Sequence, residues 1–206
     1  MDKFIAVVDY GLGNLRSVSK ALEAVGAETR VTNDPQELKD SAAIVLPGVG
    51  AFQRAMENLQ ALDIMPTICR QIEKGKPFLG ICLGLQILFT ESQEHGRNAG
   101  LDIIKGKVTK FPAEVKIPHM GWNNVNLKFE MQNAKLFKDI PDGSYFYFVH
   151  SYYVEPKDKK TVVASTEYGK VFTSVINKDN LWGVQFHPEK SHKLGLKVLE
   201  GFLSLC

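Results

Sequence analysis

At 206 residues, with 44% hydrophobic and 23% charged side chains, the chain can bury a sizeable core and has the balance of a globular protein. A net charge of +2 argues against nucleic acid, and no apolar run reaches membrane-spanning length, so no nucleic-acid or membrane partner is expected. Three widely spaced cysteines form neither a disulfide framework nor a zinc pattern; a reducing, cytoplasmic setting with no metal and no cofactor follows as the expectation.

In chain order, Met1-Asp2-Lys3 leads straight into an apolar run over 4–8, without a leader pattern, and the run has the character of a parallel strand covered on both faces. Gly11-Leu12-Gly13-Asn14 follows, then Leu15, Val18, Leu22 and Val25 at helical spacing, closed by Gly26. Arg16 occupies the third glycine position of a dinucleotide fingerprint, which makes nucleotide binding a weak reading. A strand over 28–32 precedes a short helix beginning at Asp34-Pro35. The next strand, 42–46, ends at Pro47-Gly48-Val49-Gly50. Helical patterns then run from Ala51 through Met56 and Leu59 and over 64–72, with Gly75 as the stop. Repeated strand–helix units predict an α/β domain with a mainly parallel, open sheet and helices on both faces.

Residues 77–81 form the next strand and 83–89 continue with a helical pattern, so Cys82 lies at the junction with Gly80 and Gly84 two residues to either side. This is the layout of a nucleophile elbow with Cys in place of Ser: the turn strains the backbone, and flanking Cβ atoms would strike neighbouring chain. A sulfur at a helix start also favours its reactive, charged form. Cys69, among the apolar positions Ile64, Ile68 and Ile72, and Cys206, the last residue, read as structural. Like Cys82, the loop of Gly48, Val49 and Gly50 lies at the carboxyl end of a strand, where open parallel sheets bind ligands and where freed backbone N–H groups could hold an oxyanion.

After Thr90, residues 92–100 read as a polar loop. Short strands follow over 108–111, 125–129, 145–149, 162–166, 171–177 and 181–186, the last two joined by Asp179-Asn180 as a hairpin. A helix carrying Leu194, Val198, Leu199 and Phe202 closes the chain, and nothing resembles a linker, so residues 1–206 are read as a single domain. Of five histidines only His187 has a carboxylate at a telling offset, in Phe186-His187-Pro188-Glu189. Extended residues two apart share a side, so Glu189 can orient the imidazole and leave its other nitrogen for Cys82, the arrangement of a catalytic triad.

Gly80-Ile81-Cys82-Leu83-Gly84-Leu85-Gln86 together with Phe186-His187-Pro188-Glu189 resembles the class I, or triad, glutamine amidotransferases. Asp9-Tyr10-Gly11-Leu12-Gly13-Asn14-Leu15, Pro47-Gly48-Val49-Gly50-Ala51-Phe52, Pro118-His119-Met120-Gly121-Trp122-Asn123 and Tyr147-Phe148-Val149-His150-Ser151-Tyr152-Tyr153 narrow the likeness to the glutaminase subunits of imidazole glycerol phosphate synthase, in histidine biosynthesis. The resemblance implies a three-layer, flavodoxin-like α/β fold with added antiparallel strands in the C-terminal half. It implies glutamine as substrate: Cys82 attacks the carboxamide, His187 moves the proton, Glu189 holds His187, and Gly48, Val49, Gly50, Gln86, His150, Ser151 and Tyr152 bind glutamine or build the oxyanion hole. It further implies that Pro118, His119, Met120, Gly121, Trp122, Asn123 and Lys190 face a (β/α)8-barrel cyclase subunit in a heterodimer and that ammonia passes through a channel. Residues 92–106 are expected to carry nothing the chemistry needs. The alternatives are a glutaminase subunit of another amidotransferase, a free-standing hydrolase, or a non-catalytic scaffold of the same fold.

Overall fold

The structure is a computed structural model and describes residues 3–128 and 134–206. Its first half runs β1 (Ile5–Val8), α1 (Leu15–Ala24), β2 (Thr29–Thr32), α2 (Pro35–Asp40), β3 (Ala43–Gly48), α3 (Phe52–Ala61), α4 (Met65–Glu73), β4 (Phe78–Cys82) and α5 (Leu83–Gln86). The second half runs β5 (Phe89–Ser92), β6 (Asn98–Ala99), β7 (Ile104–Lys110), β8 (His119–Leu127), β9 (Ser144–His150), β10 (Tyr152–Pro156), β11 (Val162–Glu167), β12 (Val171–Lys178), β13 (Leu181–Val184) and α6 (His192–Leu203).

The core of the sheet is β2-β1-β3-β4-β13, all parallel, and it continues through antiparallel β12, β10 and β7 to β5 and β6. Strand alternation divides the apolar side chains between two layers. Ile5, Val7, Ala43, Val45, Leu79 and Ile81 pack beneath Val18 and Leu22 of α1 and Val198, Leu199 and Phe202 of α6. Ala6, Val8, Ile44, Leu46 and Phe78 pack on Leu38 of α2, Ala55 and Leu59 of α3 and Ile68 and Ile72 of α4. Strands buried on both faces explain the continuous apolar runs that marked them. The sheet branches at β12, where β11 carries β8 and then β9.

Several expectations change. The helical reading of 83–89 stops after Gln86: the carbonyls of Ile87 and Leu88 accept from the backbone N–H groups of Leu101 and of Ile103 and Ile104 at 2.8–3.0 Å, which draws Phe89–Ser92 into the sheet as β5. All of Leu83 to Phe89 is buried, so hydrophobic spacing could not mark the change. The polar loop contains β6, paired with β5, and β10 was not expected at all. The strand expected over 125–129 begins earlier, at His119, while Phe129 lies outside the described residues. The hairpin at Asp179-Asn180 is present, with Lys178 opposite Leu181. Among the described residues, no helix is long and apolar enough to cross a membrane.

Candidate active site

Strand register assembles the site. Gly48 at the end of β3 pairs with Cys82 at the end of β4, and Val184 at the end of β13 pairs with Ile81. Three neighbouring carboxyl ends therefore deliver the 48–50 loop, Cys82 and the 185–189 segment to one place.

Cys82 is buried and has φ +55° and ψ −107°, a conformation that L residues adopt only when the surroundings enforce it. The enforcement is visible in the flanking glycines. A Cβ on Gly80 would lie 2.7 Å from the Gly84 carbonyl oxygen, and one on Gly84 would overlap the Leu46 carbonyl. The helix beginning at Leu83 has only four residues, so its dipole contributes less than a long helix would.

His187 Nδ1 donates to Glu189 Oε1 at 2.8 Å, and both side chains are almost fully buried. Burial opposes charge on His187, but the negative charge that Cys82 can carry and the Glu189 carboxylate outweigh it and hold the imidazole pKa up at about 10. Nε2 has no hydrogen-bond partner of good geometry among the described residues, nor does Glu189 Oε2. With Nδ1 held by Glu189, Nε2 is the ring nitrogen left free of the carboxylate.

A pocket of about 380 Å³ opens over the sulfur, a size suited to a small molecule. Val49, Gly50, Cys82, Gln86, His150, Ser151, Tyr152, Pro118 and Lys190 line it, together with Leu83, Val149 and Glu94. His187 and Glu189 do not line the pocket; His187 is close enough to Cys82 for the sulfur's charge to act on its ring. Glu94 corrects the expectation that residues 92–106 carry nothing of use: it lines the pocket, and its Oε2 accepts the Phe52 backbone N–H at 2.6 Å, fixing the start of α3. No sequence signal marked it, because it sits in a polar segment whose path over the pocket depends on β5 and β6.

The segment 118–123 is split by strand alternation. Met120 and Trp122 are exposed at 62% and 45%, and the Trp122 ring stacks on His192 with centroids 5.0 Å apart. His119 turns inward, buried between Phe148 and Tyr168, so it is not an outward-facing residue as expected. Asn123 points the same way, its Nδ2 donating to His119 Nε2 at 3.1 Å and to the Glu167 carbonyl at 2.9 Å. Gly121 has φ +134° with open space at its Cβ position. Lys190 Nζ lies 5.8 Å from the Tyr147 ring centroid. Cys69 and Cys206 are free and half-buried, away from the pocket over the Cys82 sulfur. Among the described residues, no three His, Cys, Asp or Glu side chains are placed to hold a metal ion.

A family model described as glutamine amidotransferase class-I matches residues 6–204. The chain is 55% identical over 197 residues to the imidazole glycerol phosphate synthase subunit HisH of Aquifex aeolicus, covering 95% of this chain and 94% of that one. It is 51% identical over 207 residues to the subunit of the same name from Methanosarcina acetivorans, covering 99% and 100%. Among solved structures, PurLQS from Thermotoga maritima superposes with a TM-score of 0.75 at 21% identity over 99% of each chain. A glutamine amidotransferase from Thermotoga maritima gives 0.65 at 18%, covering 99% and 84%. At such identities these two likenesses concern the fold.

Proposed function

This chain belongs to the class I glutamine amidotransferase family, and within it to the HisH subunits of imidazole glycerol phosphate synthase; from that premise we propose that it hydrolyses glutamine through Cys82, His187 and Glu189 and passes the ammonia to a (β/α)8-barrel cyclase. The observation that carries the reading is Cys82 at positive φ, under the pocket and beside a buried His187–Glu189 pair. Cys82 Sγ attacks the side-chain amide carbon of glutamine. The C–N bond breaks as His187 Nε2 protonates the departing nitrogen, leaving a glutamyl thioester and ammonia. His187 then takes a proton from water, whose oxygen displaces the sulfur and yields glutamate. Glu189 keeps the Nδ1 proton in place and stabilises the imidazolium.

Val49 and Gly50 border the sulfur and supply the backbone for the oxyanion hole, while Gln86, His150, Ser151 and Tyr152 wall the glutamine side of the pocket. Residues 1–206 act as one such domain, in the cytoplasm. Met120 and Trp122, exposed on β8, and Lys190 at the pocket rim form the face on which the cyclase docks. A sealed route suits the chemistry, because ammonia released into neutral water becomes ammonium, which is no nucleophile. In the cyclase it completes imidazole glycerol phosphate and releases an aminoimidazole carboxamide ribotide.

Such a route makes unconditional turnover wasteful, and the 49–50 segment can act as the gate. Gly50 has φ +100° and nothing within 4 Å of its Cβ position, and glycine has the backbone freedom that reorienting the adjoining peptide would require. One misdirected oxyanion donor lowers turnover by roughly 10²–10³-fold. Glutamate release by the chain alone is therefore expected to be at least about 100-fold below that of the chain with cyclase and ribulotide ligand. Equal rates would remove the gate from this account and favour a free-standing hydrolase.

A further inference from the structure

Two buried glutamines and two buried histidines near Cys82 are joined in a way that the triad does not require. Gln185 follows β13 directly, is fully buried, and places Nε2 3.5 Å from Cys82 Sγ. Gln86 Nε2 has two protons, and its two acceptors are Gln185 Oε1 at 3.1 Å and the Tyr152 carbonyl at 3.0 Å. This arrangement fixes the Gln185 amide: with its oxygen held by the Gln86 donor, its NH₂ is the group that faces sulfur.

The Tyr152 carbonyl also accepts from His150 Nδ1 at 2.8 Å. A carbonyl only accepts, so Nδ1 carries the proton and Nε2 of the neutral ring is a bare acceptor. His119 Nδ1, 3.0 Å from His150 Nε2, must then be the donor, and His119 Nε2 must accept from Asn123 Nδ2. Both rings are neutral at pH 7. Burial pushes His119 down to about 4. Burial also takes His150 down to about 3; its bond to the Tyr152 carbonyl opposes this, and the neighbouring His119 and His187 reinforce it. Each hydrogen bond thus has one permitted direction. Register supports the joint between strands, since His119 on β8 pairs directly with His150 on β9.

We propose that Gln185 is a positioning residue for the Cys82 sulfur and the near end of one hydrogen-bond network, running from Asn123 and His119 on β8 through His150, the Tyr152 carbonyl and Gln86, which couples that strand to the nucleophile. Asn123 and His119 alternate along β8 with exposed Met120 and Trp122. A body docked on those side chains would move the inward residues with the same strand. The docking half of this inference rests on the function proposed above; the network itself does not.

Two experiments on the isolated chain test the network without reference to glutamine turnover. Nitrogen-15 spectra of the imidazoles at pH 7 are expected to show the Nδ1–H form for both His119 and His150; an Nε2–H form on either would break the direction and overturn the proposal. Alkylation of Cys82 by iodoacetamide is expected to slow about tenfold in Gln185→Met, which keeps the length and loses the amide. It should slow at least as much in Gln185→Glu, which keeps an acceptor for Gln86 and replaces the NH₂ donor to sulfur with a second oxygen. Rates within twofold of wild type in both variants would reduce Gln185 to core filling. Coupling is read from Asn123→Ala combined with Gln185→Met. Independent sites multiply to within about twofold, whereas a connected network gives a combined slowing at least about threefold smaller than the product. A simple product would sever β8 from the sulfur. If a wild-type chain meets these expectations and still yields no glutamate with a cyclase, the proposed function fails and the network stands.

Discussion

Cys82→Ala is expected to lower glutamate release by the chain in its synthase complex by roughly 10⁴–10⁶-fold, the scale of losing a nucleophile that acts as a unit with its base. The size follows from the absence of a substitute. Ser151 is the other hydroxyl- or thiol-bearing side chain in the pocket apart from the Tyr152 phenol, and His187 Nε2 makes no hydrogen bond with either. Cys82 is small, buried and held by its neighbours, so the urea midpoint should move little. Coupled release of glutamate at a given partner concentration, with unfolding measured beside it, checks both halves. Residual turnover of a hundredth or more would point to a different nucleophile, with Ser151 the first to examine.

The second large effect falls on the fold. Gly84→Ala would place a methyl group inside the contact distance of the Leu46 carbonyl, a backbone atom of β3 locked by its pairing to β4. Backbone on both sides cannot yield as the end of a flexible side chain can, so the elbow must open or the strands must part. Overpacking of this kind costs about 3 kcal/mol, a large share of the stability of an ordinary domain. Urea unfolding of Gly84→Ala against wild type measures it, and an unchanged midpoint would mean that the elbow is looser than described. Gly26 and Gly75 give the contrast: both have positive φ but face open space, so conformational strain alone opposes a side chain there.

What could be read from the sequence was the part governed by local rules. Apolar runs bounded by glycine marked β1, β3 and β4, and the bracket of Gly80 and Gly84 marked the strained Cys82, because those signals lie within a few residues. The pairing of His187 with Glu189 at 2.8 Å was also legible, but not for the reason of extended alternation: Pro188–Lys190 forms a 3-10 turn, and Glu189 reaches Nδ1 from within it. What escaped depends on distant partners. Helix α5 ends early because residues 101–104 claim the carbonyls of Ile87 and Leu88. Glu94 reaches the pocket by a path set by the β5–β6 pairing. Gln185 looked like an ordinary residue between Val184 and Phe186; only the parallel register of β13 on β4 brings its amide to the sulfur. His119 could be read as part of a surface motif until strand alternation turned it inward.

The central claim is that Cys82 is the nucleophile that attacks glutamine, and the most direct test is covalent capture. The chain, bound to a barrel cyclase and its ribulotide ligand, is treated with a glutamine-mimicking alkylator, digested and mapped by mass spectrometry. A single adduct is expected on Cys82, prevented by excess glutamine and absent from Cys69 and Cys206. An unmodified Cys82, or an adduct that glutamine does not compete away, would contradict it and leave a scaffold that keeps the fold without the chemistry.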